Sequence, residues 1–326
     1  MKSLNSKIFA YNCYHNASVC YLKDGNIEFH LEEERVSRYK FDHRPYIAIA
    51  DSLKRVDGID YVLYTTLPTE KESKKVLDFT YELTRKLDRY TDRKAIDFSN
   101  EHHLFHAALG FYNSGFEDAV CISVDGGGAL LDTDEVEVET IYKASYPCNF
   151  EKVYQRDRLG IGFVYAGVSE YLGFGTLECG KTMGLAAYGK DDPNIKPFVV
   201  DGKIDETLWE SDPNGFKFKP YDNINRENLA WRVQKDFETY MIGLINKALE
   251  VSNNIVISGG CALNCVANYE YLKHLPEGAK LYVEPVSTDA GTSIGMAMII
   301  WRQLSKSMDI NPIKTLYLGP EHEILL

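Results

Sequence analysis

No stretch of the 326 residues approaches the roughly 18 consecutive apolar positions that a membrane-spanning helix needs, so no membrane span is expected. A secretory leader is not legible either. Met1–Leu22 has two lysines but no continuous apolar segment, because Asn12, His15 and Asn16 interrupt it, and a cytoplasmic location is the expectation. Without a leader, Asn16-Ala17-Ser18 reads as a chance match to a glycosylation acceptor. The seven cysteines contain no Cys-x-x-Cys pair, are odd in number and lie far apart. Cys261 and Cys265 have no second pair to complete a zinc site, so the thiols read as reduced, small apolar residues. Positive charge is the minority, 36 Lys+Arg against 48 Asp+Glu, for a net charge of −12. An acidic surface repels a phosphodiester backbone, so nucleic acid is not an expected partner. What remains is ordinary globular composition, 44% hydrophobic and 26% charged, in a chain long enough for about two domains.

The hydrophobic pattern runs through a series twice. Lys7–Asn12, Ser18–Lys23 and Asn26–Leu31 read as strands, the last two joined by the hairpin signal Asp24-Gly25. A helix is expected at Tyr46–Arg55, a strand at Tyr61–Tyr64, and helices at Glu70–Tyr90 and His102–Tyr112. Strands then restart at Ala119–Val124 and Val136–Ala144, with another near Val153 and a helix at Phe163–Tyr171. Residues 189–230 are polar and read as a surface excursion. An amphipathic helix covers Val233–Glu250, strand Asn254–Ser258 leads into Gly259-Gly260 and a helix, and strand Lys280–Val286 leads into the helix Thr292–Leu304. Two βββαβα-type halves, 1–115 and 116–326, follow from this echo. Facing one another, they leave a cleft where hairpin turns offer backbone N–H groups to phosphate. That is the α/β architecture of the actin-like ATPase (ribonuclease H-like) fold.

Several constellations carry chemistry. In Glu101-His102-His103-Leu104-Phe105-His106, His102 and His106 are four apart, so a helix places both on one face, able to grip one ion. His103 stands where a zincin protease has its glutamate, which disfavours proteolysis. Histidines that merely pack a helix are the plainer alternative. Against it, three of the chain's eight histidines fall within residues 102–106. Asp125 ends an apolar strand and precedes Gly126-Gly127-Gly128, which puts a carboxylate at a strand tip, able to bind metal or order water, beside glycines that let phosphate approach. Asp289, between a strand and a helix, is either an N-cap or a third, carboxylate ligand beside the two histidines. Gly259 and Gly260 would let a flat ligand lie on backbone, and Asn264 could bond a ribose or base edge, although a tight β-to-α connection explains the glycines as well.

Gly175-Thr176-Leu177-Glu178-Cys179-Gly180-Lys181-Thr182 matches a phosphate-binding loop formally. No buried strand precedes it, and Gly184 with Gly189 is expected to break the helix that should follow. Lys181 is kept as a phosphate or carbonyl partner. Arg38 and Lys40, in a mixed-charge stretch after the third strand, could reach a ligand phosphate.

Taken in order, these motifs resemble the O-carbamoyltransferase family that includes nodulation, cephamycin and tobramycin carbamoyltransferases. The resembling segments are Tyr14-His15-Asn16-Ala17-Ser18, Glu33-Glu34-Arg35-Val36-Ser37-Arg38, His102-His103-Leu104-Phe105-His106-Ala107-Ala108, Val124-Asp125-Gly126, Gly180-Lys181-Thr182-Met183-Gly184-Leu185-Ala186, Gly259-Gly260-Cys261-Ala262-Leu263-Asn264 and Asp289-Ala290-Gly291-Thr292. The resemblance implies an actin-like core that holds ATP or carbamoyl-adenylate and a divalent metal, iron first, with zinc or manganese suited to the same donors. It implies His102, His106, Asp125 and Asp289 as metal ligands, and His15 and Lys40 at the adenylate or acceptor, His15 as the base. Asp125, Gly126, Gly127, Lys181, Gly259, Gly260 and Asn264 fall on the nucleotide side. The reaction implied is carbamoyl transfer to the hydroxyl of a small-molecule acceptor. Where the family has Lys-His-Asp, this chain has Lys40-Phe41-Asp42, with His43 just beyond. The resemblance also implies that the family's C-terminal activating domain, which uses carbamoyl phosphate and ATP, is not within these residues. A homodimer is compatible with this reading. The alternatives are a threonylcarbamoyl transferase acting on tRNA, which the net charge disfavours, and a nucleotide-binding subunit without activity of its own. A sugar kinase would not need two histidines and an aspartate around one ion.

Overall fold

The computed structural model describes residues 6–66, 95–131, 135–212, 215–219 and 224–320, with positions 75, 78, 79 and 82. The helix expected at Glu70–Tyr90 lies largely outside the described residues. Strands β1 (Lys7–Cys13), β2 (Ser18–Lys23) and β3 (Asn26–Glu32) form an antiparallel meander. Asp24 and Gly25, both at positive φ, make the two-residue turn that the right-handed twist of a hairpin favours. Helices α1 (Glu33–Ser37) and α2 (Tyr46–Arg55) follow. Then β4 (Tyr61–Thr66) pairs parallel with β1, and the short β5 (Ile96–Asp97) pairs parallel with β4.

After α3 (His102–Ser114) the plan repeats. Strands β6 (Asp118–Val124), β7 (Glu137–Ser145) and β8 (Asn149–Asp157) form a second antiparallel meander. Helices α4 (Ile161–Tyr171) and α5 (Cys179–Ala186) come next. Short pairs β9 (Val199–Val200) with β10 (Lys203–Ile204), and β11 (Trp209–Asp212) with β12 (Gly215–Phe218), occupy the polar excursion. The long α6 (Arg226–Leu249) starts seven residues before the expected Val233, where the Asn225 side chain caps it by accepting from Asn228 N–H. Finally β13 (Asn254–Ser258), α7 (Cys265–His274), β14 (Lys280–Val283) and α8 (Ala290–Ser305) close the second half.

The two five-stranded sheets share one topology. The order is β3-β2-β1-β4-β5 in the first and β8-β7-β6-β13-β14 in the second, each with three antiparallel strands and two added in parallel. This is the mixed α/β, two-sheet plan of actin-like ATPases. Among the described residues three apolar cores hold it together: one outside the first sheet, one under α4, α6 and the excursion, and a middle one that draws on both sheets together with α3 and α8. Among the described residues no helix is long and apolar enough to cross a membrane.

The break expected at Gly184 with Gly189 does not occur at Gly184. Residues 179–186 do form a helix, although Gly180 and Gly184 lie inside it. Packing against α4 and α6 outweighs the propensity cost of about 1 kcal/mol per glycine. The helix stops before Gly189, where a methyl would overlap the Glu227 carbonyl.

Candidate metal centre and its surroundings

Each candidate ligand's element follows from local sequence, and the four meet where the two sheets face each other. The i, i+4 spacing on α3 puts His102 and His106 together, with their Nε2 atoms 3.1 Å apart. Asp125 stands at the tip of β6, where the apolar run ends. Its Oδ2 lies 3.7 Å from His102 Nε2 and 3.3 Å from His106 Nε2. Asp289 precedes α8 at the N-cap position, but its side chain makes no cap bond. Instead its Oδ1 lies 3.6 Å from each histidine's Nε2.

All four side chains are buried, and their ligand atoms lie within 4.8 Å of one another. Donors about 2.0–2.2 Å from one ion sit about 3–3.7 Å from each other, which is the spacing found between these imidazoles and carboxylates. Asp125 Oδ2 and Asp289 Oδ1 are buried with no hydrogen-bond partner. Two such oxygens facing two imidazole nitrogens fit a divalent cation, and a two-nitrogen, two-oxygen donor set suits iron, zinc or manganese. Without a cation the charges compensate internally. Burial pulls His106 down, but Asp125 and Asp289 outweigh it and push the imidazole up to about 9. Burial would lift Asp125, but His102 and His106 hold its carboxyl well below the usual range.

The surroundings orient this cluster. The Tyr14 ring packs edge-on against His102 at 4.6 Å between centroids. His103, the third histidine, turns away from the cluster, and its Nδ1 lies 2.9 Å from Thr140 Oγ1. Burial pulls His103 down to about 4, so it is neutral at pH 7. Glu137 ties the start of α3 to the glycine turn, because its Oε1 accepts from both His103 N–H and Ala129 N–H at 3.1 Å. Sequence reasoning missed Glu137, and it missed Asn12, Ser18 and His30, which grip the backbone at Asp289 and Ala290. Only Asn12 carried a signal, a polar residue inside the otherwise apolar run Ile8–Cys13; Ser18, His30 and Glu137 lie at the start of, or within, strands of mixed composition.

His15, in the β1–β2 turn, is the half-exposed member of the set. Its Nε2 lies 3.4 Å from Asp289 Oδ2, and its Nδ1 lies 3.0 Å from Asn16 Oδ1. Gly126 has open space where a Cβ would stand. Gly127, by contrast, is pressed by Val136 and Phe163, Gly259 by the Val124 backbone at φ +90°, and Gly260 by the Asp125 carboxylate. Packing thus accounts for the absence of a side chain at those three. Asn264 caps α7 by accepting from Ala267 N–H at 3.0 Å, and it pairs amide to amide with Gln234 at 2.9 and 3.1 Å. Lys40 and Lys181 converge on one carboxylate from opposite halves. Glu178 lies 2.7 Å from Lys181 Nζ and 3.8 Å from Lys40 Nζ.

Residues 69–298 match the family model described as Carbamoyltransferase N-terminus. That span contains His102, His106, Asp125 and Asp289, whereas His15 and Lys40 precede it. The chain is 25% identical over 350 residues to nodulation protein NolNO of Sinorhizobium fredii (strain NBRC 101917 / NGR234), covering 94% of this chain and 49% of that protein. It is 21% identical over 313 residues to 3'-hydroxymethylcephem-O-carbamoyltransferase of Streptomyces clavuligerus, covering 89% and 58%. It therefore spans about half the length of these curated relatives. Among solved structures, full-length HypF in a phosphate- and nucleotide-bound form superposes with a TM-score of 0.56 at 13% identity, over 94% of this chain and 57% of that one. A likeness at that identity bears on the fold alone.

Proposed function

The chain belongs to the Carbamoyltransferase N-terminus family, and from that premise we propose that it moves a carbamoyl group from carbamoyl-adenylate to the hydroxyl of a small-molecule acceptor. Carbamoyl-adenylate is the mixed anhydride made from ATP and carbamoyl phosphate. The observation that carries this reading is that the family-matched span brings His102, His106, Asp125 and Asp289 into one buried cluster with two unpartnered carboxylate oxygens. These four would hold a divalent cation, which supplies positive charge to the adenylate phosphate and to the leaving group. His15 stands at the mouth of the cluster, oriented by Asn16 and Asp289, and takes the acceptor's proton. The acceptor oxygen bonds to the carbamoyl carbon, the carbon–oxygen bond to phosphate breaks, and AMP leaves with the electron pair. Gly126 leaves backbone open to the donor, and Lys40 and Lys181 bring positive charge to it from the two halves, 1–115 and 116–326. The net charge of −12 favours a small acceptor over tRNA.

The test supplies ATP, carbamoyl phosphate, Fe²⁺ or Mn²⁺ and a panel of hydroxyl compounds, with and without a companion activating domain, and reads acceptor mass and AMP release. A carbamoylated acceptor is expected from wild type and none from His106→Ala or Asp125→Ala. Equal product from those variants would refute the site, and tight, salt-sensitive tRNA binding would redirect the reading toward tRNA.

A further inference from the structure

Asp289 reaches the ligand cluster from a turn that its own side chain does not cap. What holds that turn comes from the opposite sheet. Asn12, near the end of β1, donates from Nδ2 to the Asp289 carbonyl oxygen at 2.9 Å. The Oδ1 of Asn12 accepts from Ser18 N–H at 2.5 Å and lies 2.9 Å from the Ser18 hydroxyl. That hydroxyl, on β2, also lies 2.8 Å from the Ala290 carbonyl oxygen and 2.7 Å from Ser293 Oγ. His30, on β3, meets the same Ala290 oxygen through Nε2 at 3.0 Å. A carbonyl oxygen only accepts, so Nε2 carries the proton.

Three adjacent strands thus direct three buried polar side chains onto two consecutive carbonyls between 260 and 277 residues away. Joining a helix to a sheet does not require this, since apolar packing would do so without the cost of burying polar groups. A hydrogen-bond network adds direction: it fixes where the backbone at Asp289 stands. The same residue presents Oδ1 to both histidines and Oδ2 to His15.

We propose that Asn12, Ser18 and His30 are positioning residues of the metal centre, a clasp from the first sheet that sets Asp289 on the two histidines. Cation binding and the registration of the two halves are then one linked equilibrium, and each strengthens the other. The proposal rests on the cation reading of the four-residue cluster, and the test separates the two.

Co²⁺ is titrated into the full chain and followed by its visible absorption, with thermal melts run alongside with and without Co²⁺. Ser18→Ala and His30→Ala are expected to bind Co²⁺ about 10–100-fold more weakly than wild type, the usual effect of removing a partner behind a metal ligand. Ser18→Thr and His30→Gln keep a donor and are expected to bind within a few-fold of wild type. Leu53→Ala, in the core outside the first sheet, is the control for general destabilisation. It lowers the melting temperature but leaves the Co²⁺ affinity and the Co²⁺-induced rise in melting temperature intact. If Ser18→Ala fails to fold, His30→Ala, which removes the other donor to the Ala290 carbonyl, carries the test, with His30→Gln as its conservative partner. Wild-type affinity in the clasp variants, with binding abolished in Asp289→Ala, overturns the clasp and leaves the cation reading standing. Wild-type affinity in Asp289→Ala and His106→Ala overturns the cation reading and the clasp with it.

Discussion

Asp236 shows how a single buried acid sets a pH dependence away from the candidate site. It lies on α6, where its Oδ2 accepts from Phe198 N–H at 2.6 Å and its Oδ1 stands 3.8 Å from Arg232. Burial outweighs both partners and pushes the carboxyl up from 3.8 to about 6. The folded chain therefore keeps a proton that the unfolded chain releases between those two values. Stability falls as pH rises through that window and is level above it. Asp236→Asn keeps a carbonyl to accept from Phe198 but has nothing to titrate. The variant is expected to match wild type near pH 4 and to exceed it at pH 7 by on the order of 1 kcal/mol. Urea midpoints at pH 4, 5, 6 and 7 measure this, and parallel curves for the two proteins would refute it. The buried His102–His106 pair was legible at this scale because the i, i+4 spacing is local, and Asp125 because an apolar run ends on it. The Gln234 partner of Asn264 was not, since a pairing across 30 residues leaves no period in the sequence. Nor were Asn12 and His30, whose partners lie in the other half.

At the scale of elements, the spacing of the ligands depends on how closely α3 crosses α8. Gly295 makes that crossing possible, because a methyl there would overlap the Phe105 carbonyl oxygen and stand 3.2 Å from Leu109 N. Gly295→Ala is expected to force the helices apart and cost about 1–3 kcal/mol as overpacking. It should weaken cation binding as well, since His102 and His106 ride on α3 and Asp289 on the start of α8. Gly243→Ala on α6 is the counterpart. Nothing lies near its missing Cβ, so the better helix propensity should be neutral or stabilising by up to about 1 kcal/mol. Chemical denaturation and a cation titration of both variants check the contrast. If Gly295→Ala bound the cation as wild type does, the crossing would not set the ligand spacing. Most strands and the helices α3, α6 and α8 followed from periodicity and the Asp24-Gly25 turn. The short α1 and β5 did not, because five and two residues are too few to show a period. The helix α5 was hidden because Gly184 reads with Gly189 as a break, whereas packing rather than propensity carries the helix through Gly184.

For the whole molecule, the consequence of this packing is that the two halves do not own their own cores. Helix α3 follows the first sheet in sequence but packs on β6 and β13 of the second, while α8 packs on β1 and β2 of the first. The middle core joins Ile8, Ala10 and Leu22 to Cys121 and Val256 through Phe105, Leu109, Ile294 and Ala297. Cutting between 115 and 116 would leave α3 on one fragment with its apolar face uncovered and the second sheet without its cover. Chains of this length often unfold in stages. Here each half lends a helix to the other, so the chain is expected to unfold in one transition, with the calorimetric enthalpy close to the van't Hoff value. Residues 1–115 expressed alone are expected not to reach a folded state. Because the candidate cation site draws ligands from both helices, saturating cation should move that single transition as a whole, by about 2.7 kcal/mol at a hundredfold excess over Kd. Scanning calorimetry with and without Mn²⁺ tests this directly. Two resolved transitions, only one of them shifted by the cation, would mean that the halves are energetically separate and that the shared middle core does not couple them.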